Sequence, residues 1–160
     1  MKVLGIDPGF DRTGWGVISD DGGRLSYIAC GGLQTDKQDE FSLRLQSVRD
    51  EIALLIRTYA PDAVAVEHLF FQTNAKTAIK VGMARGVVLL AIADANLPLV
   101  ELTPNQVKQG TTGHGKADKK QVQEMVVRLL KLKETPKPDD AADALAVAIV
   151  GATIAHSQRA

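Results

Sequence analysis

The stretch MKVLGIDPGFDRTGWGVISDDGGRLSYIACGGL, residues 1–33, decides the fold. Lys2–Asp7 is apolar and strand-like and breaks at Pro8-Gly9. Thr13–Ser19 alternates around Trp15, Val17 and Ile18. Asp20-Asp21-Gly22-Gly23 is a turn, and Leu25–Leu33 reads as a third strand. Strands this close in sequence predict an antiparallel meander over the first 35 residues. Beyond it the period changes. Phe41, Leu45, Val48, Ile52, Leu55, Ile56 and Tyr59 recur at helical spacing, and Pro61 stops the helix. Ala63–Val66 is a short unbroken apolar run ending at Glu67, as in a buried parallel strand. A second helix runs from about Asn74 to Asn96, and Leu97–Leu102 is a further strand. Thr103-Pro104 pairs an N-cap with proline at the first helical position and opens a short helix through Lys108. Thr111–Gly115 reads as a glycine-rich loop. Asp118–Lys131 is helical, and Pro136 and Pro138 separate it from a last helix, Asp139–Ala155. This order implies an α/β fold, a mixed five-stranded sheet flanked by helices. Residues 1–156 are expected to form one domain and residues 157–160 a short tail.

Composition narrows the class. Of the 160 residues 45% are hydrophobic and 24% charged, which is ordinary for a globular chain. Cys30 is the only cysteine, so an internal disulfide and thiolate zinc spacing are both excluded, and a reducing cytosol suits the chain. No run of about 20 uninterrupted apolar residues suggests a membrane span, and the N-terminus lacks the apolar core of a signal peptide. The formal net charge is zero. The charges are nevertheless segregated. Residues 104–138 carry 8 basic side chains (Lys108, Lys116, Lys119, Lys120, Arg128, Lys131, Lys133, Lys137) against 3 acidic ones. Such a stretch is either a solvated helix face or a local seat for a polyanion.

Four carboxylates stand where chemistry is expected. Asp7 and Glu67 each end a strand, and parallel neighbours would deliver both to the carboxyl edge where open α/β sheets place ligands. Asp140 and Asp143 are three apart in the first turn of the last helix and share a face. The alanines that follow them let that helix approach the sheet closely. Taken alone, Asp139, Asp140 and Asp143 read better as helix-start residues that cap the helix and offset its dipole, and Asp7 can be an ordinary turn residue. Glu67 is harder to explain away, because it follows Ala-Val-Ala-Val in a strand that should be buried. If the four converge, they repel one another. A divalent ion relieves this, and hard carboxylate oxygens select Mg²⁺ or Mn²⁺.

GIDPGFDRTGWGVI at 5–18, AVEHLFF at 65–71, KVGMARGVVL at 80–89, PNQVKQ at 104–109, GHGKADKKQV at 113–122 and DDAADALAVAI at 139–149 closely resemble the RuvC-type Holliday-junction resolvases of bacteria. The blocks keep that family's order and spacing over nearly the whole chain. The resemblance implies an RNase H-like fold, a homodimer, a cytoplasmic location, and Mg²⁺-dependent endonuclease action on four-way DNA junctions that leaves 5′-phosphate and 3′-hydroxyl nicks. It assigns the catalytic, metal-binding carboxylates to Asp7, Glu67, Asp140 and Asp143, with two ions per site, and leaves Asp139 as a neighbour. It matches Lys108 and Lys119 to lysines acting near the scissile phosphate, with Lys116, Lys120 and Arg128 adding phosphate attraction. Phe70 matches an aromatic placed to stack on an unpaired base near the junction centre. Ala78, Gly82 and Gly86 form a stripe of small residues which, on pattern alone, packs within the chain or between chains; the resemblance favours a two-fold dimer interface. It also implies partnership with the RuvA–RuvB branch-migration machinery.

Three other classes share parts of this pattern, and one of them, a non-catalytic junction-binding or scaffold protein that kept the fold, predicts lost carboxylates where all four stand. Sugar kinases and actin-like ATPases also open with a strand, a G-I-D-x-G turn and a second strand, but they use two such domains. A nuclease of the same fold acting on RNA–DNA hybrids is the third, and the basic loop and the small-residue helix weigh against it.

Overall fold

Alternation along the first strand decides which way every later element must pack. In the computed structural model, which describes residues 1–68 and 74–159, β1 (Lys2–Asp7) sends Leu4 and Ile6 to one face of a sheet and Val3 and Gly5 to the other. β1 pairs antiparallel with β2 (Arg12–Asp21), which pairs antiparallel with β3 (Arg24–Gln34); this is the expected meander. β4 (Ala63–Glu67) lies parallel to β1 on its other side, and β5 (Leu99–Leu102) lies parallel to β4. The sheet order is therefore β3-β2-β1-β4-β5, the mixed five-stranded arrangement expected from sequence.

Helices cover both faces. α1 (Phe41–Tyr59) and α2 (Ala75–Asp94) bury Val48, Ile52, Val88 and Ile92 against Leu4, Ile6, Val64 and Val66. α1 ends where Ala60 turns left-handed ahead of Pro61. On the opposite face lie α3 (Pro104–Thr112), α4 (Lys119–Leu130) and α5 (Asp139–Arg159). Thr103 and Gln106 cap α3 reciprocally, and Asp118 and Gln121 do the same for α4. Asp118 therefore works as a cap.

α5 is the central helix of this layer and packs on β1, β2 and β4. Its sheet-facing side is nearly all alanine, and Ala141, Ala142, Ala144, Leu145, Ala146 and Ala148 are wholly buried. The approach is close enough that a Cβ on Gly5 would collide with the backbone of Ala144 and Ala148, and one on Gly14 with the backbone of Asp140. By composition α5 could cross a membrane over Asp139–Gln158, but 67% of the 18-residue apolar window within it is buried in the fold. Its apolar length serves the core.

Two boundaries differ from expectation. α3 continues past Lys108 to Thr112, because Thr111 is buried and Gly113 supplies the left-handed C-cap. The glycine-rich loop accordingly begins at Gly113, two residues later than the sequence reading placed it. α5 runs on to Arg159, where a tail from Ser157 was expected. No glycine or proline follows Gly151 to break the helix.

Candidate active site

The parallel pairing of β1 with β4 sets Ile6 beside Val66 and brings Asp7 and Glu67 to the same carboxyl edge. Both continue the α5-facing alternation of their strands. Gly14 lies directly across from Asp7 on β2, and the missing side chain there is where the backbone of Asp140 seats. The opening turn of α5 is thus locked onto the sheet edge. One carboxylate oxygen from each of Asp7, Asp140 and Asp143 lies within 4.8 Å of the others. Glu67 accepts a hydrogen bond from the Asp7 carboxyl and, with Asp143, Lys108 and Lys119, lines a cleft of about 210 Å³. The four carboxylates singled out from the sequence therefore meet.

Their electrostatics follow from this crowding. Burial first, then the charges of Glu67 and Asp143, push the Asp7 carboxyl from 3.8 up to about 8. Burial also raises Glu67, against the opposing effects of the Asp7 hydrogen bond and Lys108. Asp143 is raised by burial too, although Lys119 pulls the other way. Lys119 Nζ lies 3.1 Å from Asp143 Oδ2 and 3.9 Å from Asp139 Oδ2. Burial tends to lower its pKa, and the hydrogen bond and charge of Asp143 outweigh that and raise it. A set of hard oxygens carrying more negative charge than its surroundings neutralise is what a divalent cation requires, and the residues present fit one.

The remaining sequence-derived candidates divide. Lys108 and Lys119 border the carboxylates. Lys116 lines a separate open cleft of about 430 Å³ with His114, Glu124 and Arg128, and Lys120 is exposed on the first turn of α4. Among the described residues, no atom lies within 4 Å of a notional Cβ on Gly82 or Gly86. Ile79 and Met83 beside them are 61% and 50% exposed. Gly82 and Gly86 are thus not covered by packing among the described residues. Phe70 and Phe71 lie outside the described residues.

Arg44 escaped the sequence reading. It sits on the buried stripe of α1, hydrogen-bonds Thr35 Oγ1 at 2.9 Å and Asp11 Oδ1 at 2.6 Å, and stacks 3.9 Å above the Phe10 ring. It pins the loop that follows Asp7. The available signal was a charge three residues after Phe41 and four before Val48, on the face that should be apolar.

A sequence model described as crossover junction endodeoxyribonuclease RuvC matches residues 3–151. The chain belongs to the RuvC family. The RuvC crossover junction endodeoxyribonuclease of Thermosipho melanesiensis is 54% identical over 148 residues, which cover 92% of this chain and 94% of that protein. The Syntrophomonas wolfei RuvC is 52% identical over 149 residues, 93% of this chain and 87% of its own. The solved structure of Thermus thermophilus RuvC in complex with a Holliday junction substrate superposes with a TM-score of 0.93 at 38% identity, covering 99% of this chain and 96% of the other. The fold is RNase H-like, as the resemblance implied.

Proposed function

We propose that this RuvC-family chain is a structure-specific endonuclease that resolves four-way (Holliday) DNA junctions in recombination and repair. It acts as a homodimer making paired, symmetric cuts that leave 5′-phosphate and 3′-hydroxyl ends. The observation that carries this reading is the meeting of Asp7, Asp140 and Asp143 at one point, with Glu67 hydrogen-bonded to Asp7 and Lys108 and Lys119 on the rim. Asp7, Glu67, Asp140 and Asp143 would hold two Mg²⁺ ions, with Mn²⁺ as a substitute. Bound there, the ions supply the Lewis acidity for an in-line attack of water on phosphorus and for departure of the 3′ oxygen.

The chain's own residues do the rest. Asp7, at the end of the central strand β1, would give up its proton to serve as a metal ligand. Lys119 is tethered to Asp143 by its ammonium, and Lys108 stands across the same cleft. Both can attract the scissile phosphate. Lys116 and Lys120 extend the positive surface along the duplex arm, which favours DNA without reading its sequence. Phe70 stacks on an unpaired base at the junction centre.

The exposed face of α2, with Ala78, Gly82 and Gly86 flanked by Ile79, Met83 and Leu90, is the dimer surface. A two-fold dimer places two such sites on opposite strands of a two-fold substrate. Residues 1–156 serve as one catalytic unit in the bacterial cytoplasm, alongside the RuvA–RuvB branch-migration complex.

The test is incubation of purified protein with a synthetic four-way junction, a linear duplex and an RNA–DNA hybrid, each with and without Mg²⁺ or Mn²⁺. Paired, ligatable nicks in the junction alone, dependent on the metal, are expected. Equal cutting of the hybrid would refute the junction assignment.

A further inference from the structure

Lys108 and Lys119 line the cleft that holds Glu67, the carboxylate on β4, and Asp143. The side towards β2 and β3 carries a different cation. Arg12 opens β2, two residues before Gly14 and on the same face of the strand. Gly14 and its β3 partner Gly32 are the pair on which the start of α5 rests. A Cβ on Gly14 would meet Asp140, and one on Gly32 would meet Pro138. Arg12 and its partner Gln34 are the next pair outward on that face, just past the end of the helix. Together with Gly32, Leu33, Pro138 and Asp140 they line a cleft of about 150 Å³. Arg12 is exposed, and among the described residues no hydrogen bond or ion pair holds its guanidinium. Its neighbour Asp11 is engaged by Arg44 and Lys37. A free planar guanidinium presents paired donors suited to a phosphate. Arg12 on β2 and the Lys108–Lys119 pair beside Glu67 of β4 then lie on strands that flank β1 and Asp7, or next to them.

We propose that Arg12 is a positioning residue for the cleaved strand. It holds a backbone phosphate adjacent to the scissile one, on the side of the carboxylate cluster opposite Lys108 and Lys119. This rests on the junction-nuclease reading and extends it. A strand crossing the sheet edge from β5 towards β3 would be gripped at both ends, with the scissile phosphate held over Asp7 between them. Gln34, across from Arg12, supplies a second donor to the same phosphate.

The test combines Arg12→Ala and Arg12→Lys with junctions in which one phosphate near the cut, one or two steps to either side, is replaced by an uncharged methylphosphonate. Arg12→Ala is expected to weaken junction binding several-fold. It should make the salt dependence shallower by about 0.9 in log–log slope, the loss of one phosphate contact. Arg12→Lys should recover part of the affinity. One methylphosphonate position should slow the wild-type protein yet leave Arg12→Ala no slower than on unmodified DNA. Melting temperature and the metal concentration for half-maximal cleavage should stay unchanged. The proposal is overturned if the variant and methylphosphonate losses multiply at every position. It is equally overturned if Arg12→Ala shifts only the metal midpoint, which would make Arg12 a counter-ion of Asp140, or if it matches the wild type. A wild-type protein that neither binds nor cuts the junction would bring down the nuclease reading and this inference together.

Discussion

Replacing Asp7 by asparagine should stabilise the metal-free protein while abolishing its response to metal. The Asp7 carboxyl is pushed from 3.8 to about 8 by burial and by the carboxylates around it. A carboxyl raised on folding contributes fully below its unfolded value, and that contribution is lost as pH climbs towards the folded value. The window here is therefore from about pH 4 to pH 8. Four units at about 1.4 kcal/mol each set an upper limit of about 6 kcal/mol at and above pH 8. Relaxation and water penetration reduce the penalty of burying a charge, so about 1–3 kcal/mol is expected. For a chain of this length that corresponds to roughly 3–10 °C in Tm. Asparagine carries no charge at any pH, and its amide can donate to Glu67 as the protonated Asp7 does. In chelator at pH 8, Asp7→Asn should melt above wild type, and the gap should close towards pH 4. Added Mg²⁺ or Mn²⁺ should raise the wild-type Tm by mass action and leave the variant unmoved. In gel shifts the variant should still bind the four-way junction and fail to cut it. Calorimetry showing a variant that melts below wild type in chelator at pH 8, or one that metal stabilises to the wild-type extent, would refute the electrostatic account.

Gly14→Ala should cost about 1–3 kcal/mol or more from overpacking and should lower cleavage further than the stability loss explains, because it displaces the backbone of Asp140; melting and single-turnover rates compared at low temperature separate the two effects. Gly82→Leu should yield a monomer by light scattering that loses paired cutting, and a variant that stays dimeric would contradict the assigned surface. Phe70→Ala should lower junction cleavage with unchanged melting, whereas Phe71→Ala should cost a few kcal/mol if that ring is core; equal melting of the two variants would dissolve the distinction.

The carboxylate cluster was legible because two of its members sit where sequence pattern and chemistry disagree. Glu67 closes a run that should be buried, and Asp7 interrupts a strand at Pro8-Gly9. The strand order needed to unite them was also accessible, since the meander and the later parallel strand leave few arrangements. What stayed hidden depended on contacts distant in sequence. Arg44 meets Asp11 33 residues away, and nothing near either residue announces the pair. Arg12 gains its meaning only when β3 and the start of α5 are in place. The end of α3 was misplaced because Thr111-Thr112 are poor helix formers, and burial of Thr111 overrides that preference. The exposed stripe on α2 was visible as a pattern, yet only the packed structure distinguishes a free face from a covered one.

The close seating of α5 on Gly5 and Gly14 has a kinetic corollary. Two of the four acids ride on this helix and two on the strands beneath it, so the pocket lasts only as long as the layers stay joined. Amide hydrogen exchange at Ala141–Leu145 should therefore clock how often the metal pocket comes apart. Occupancy by a divalent ion should slow that clock in proportion to its affinity, making backbone protection a gauge of cation binding that needs no DNA at all.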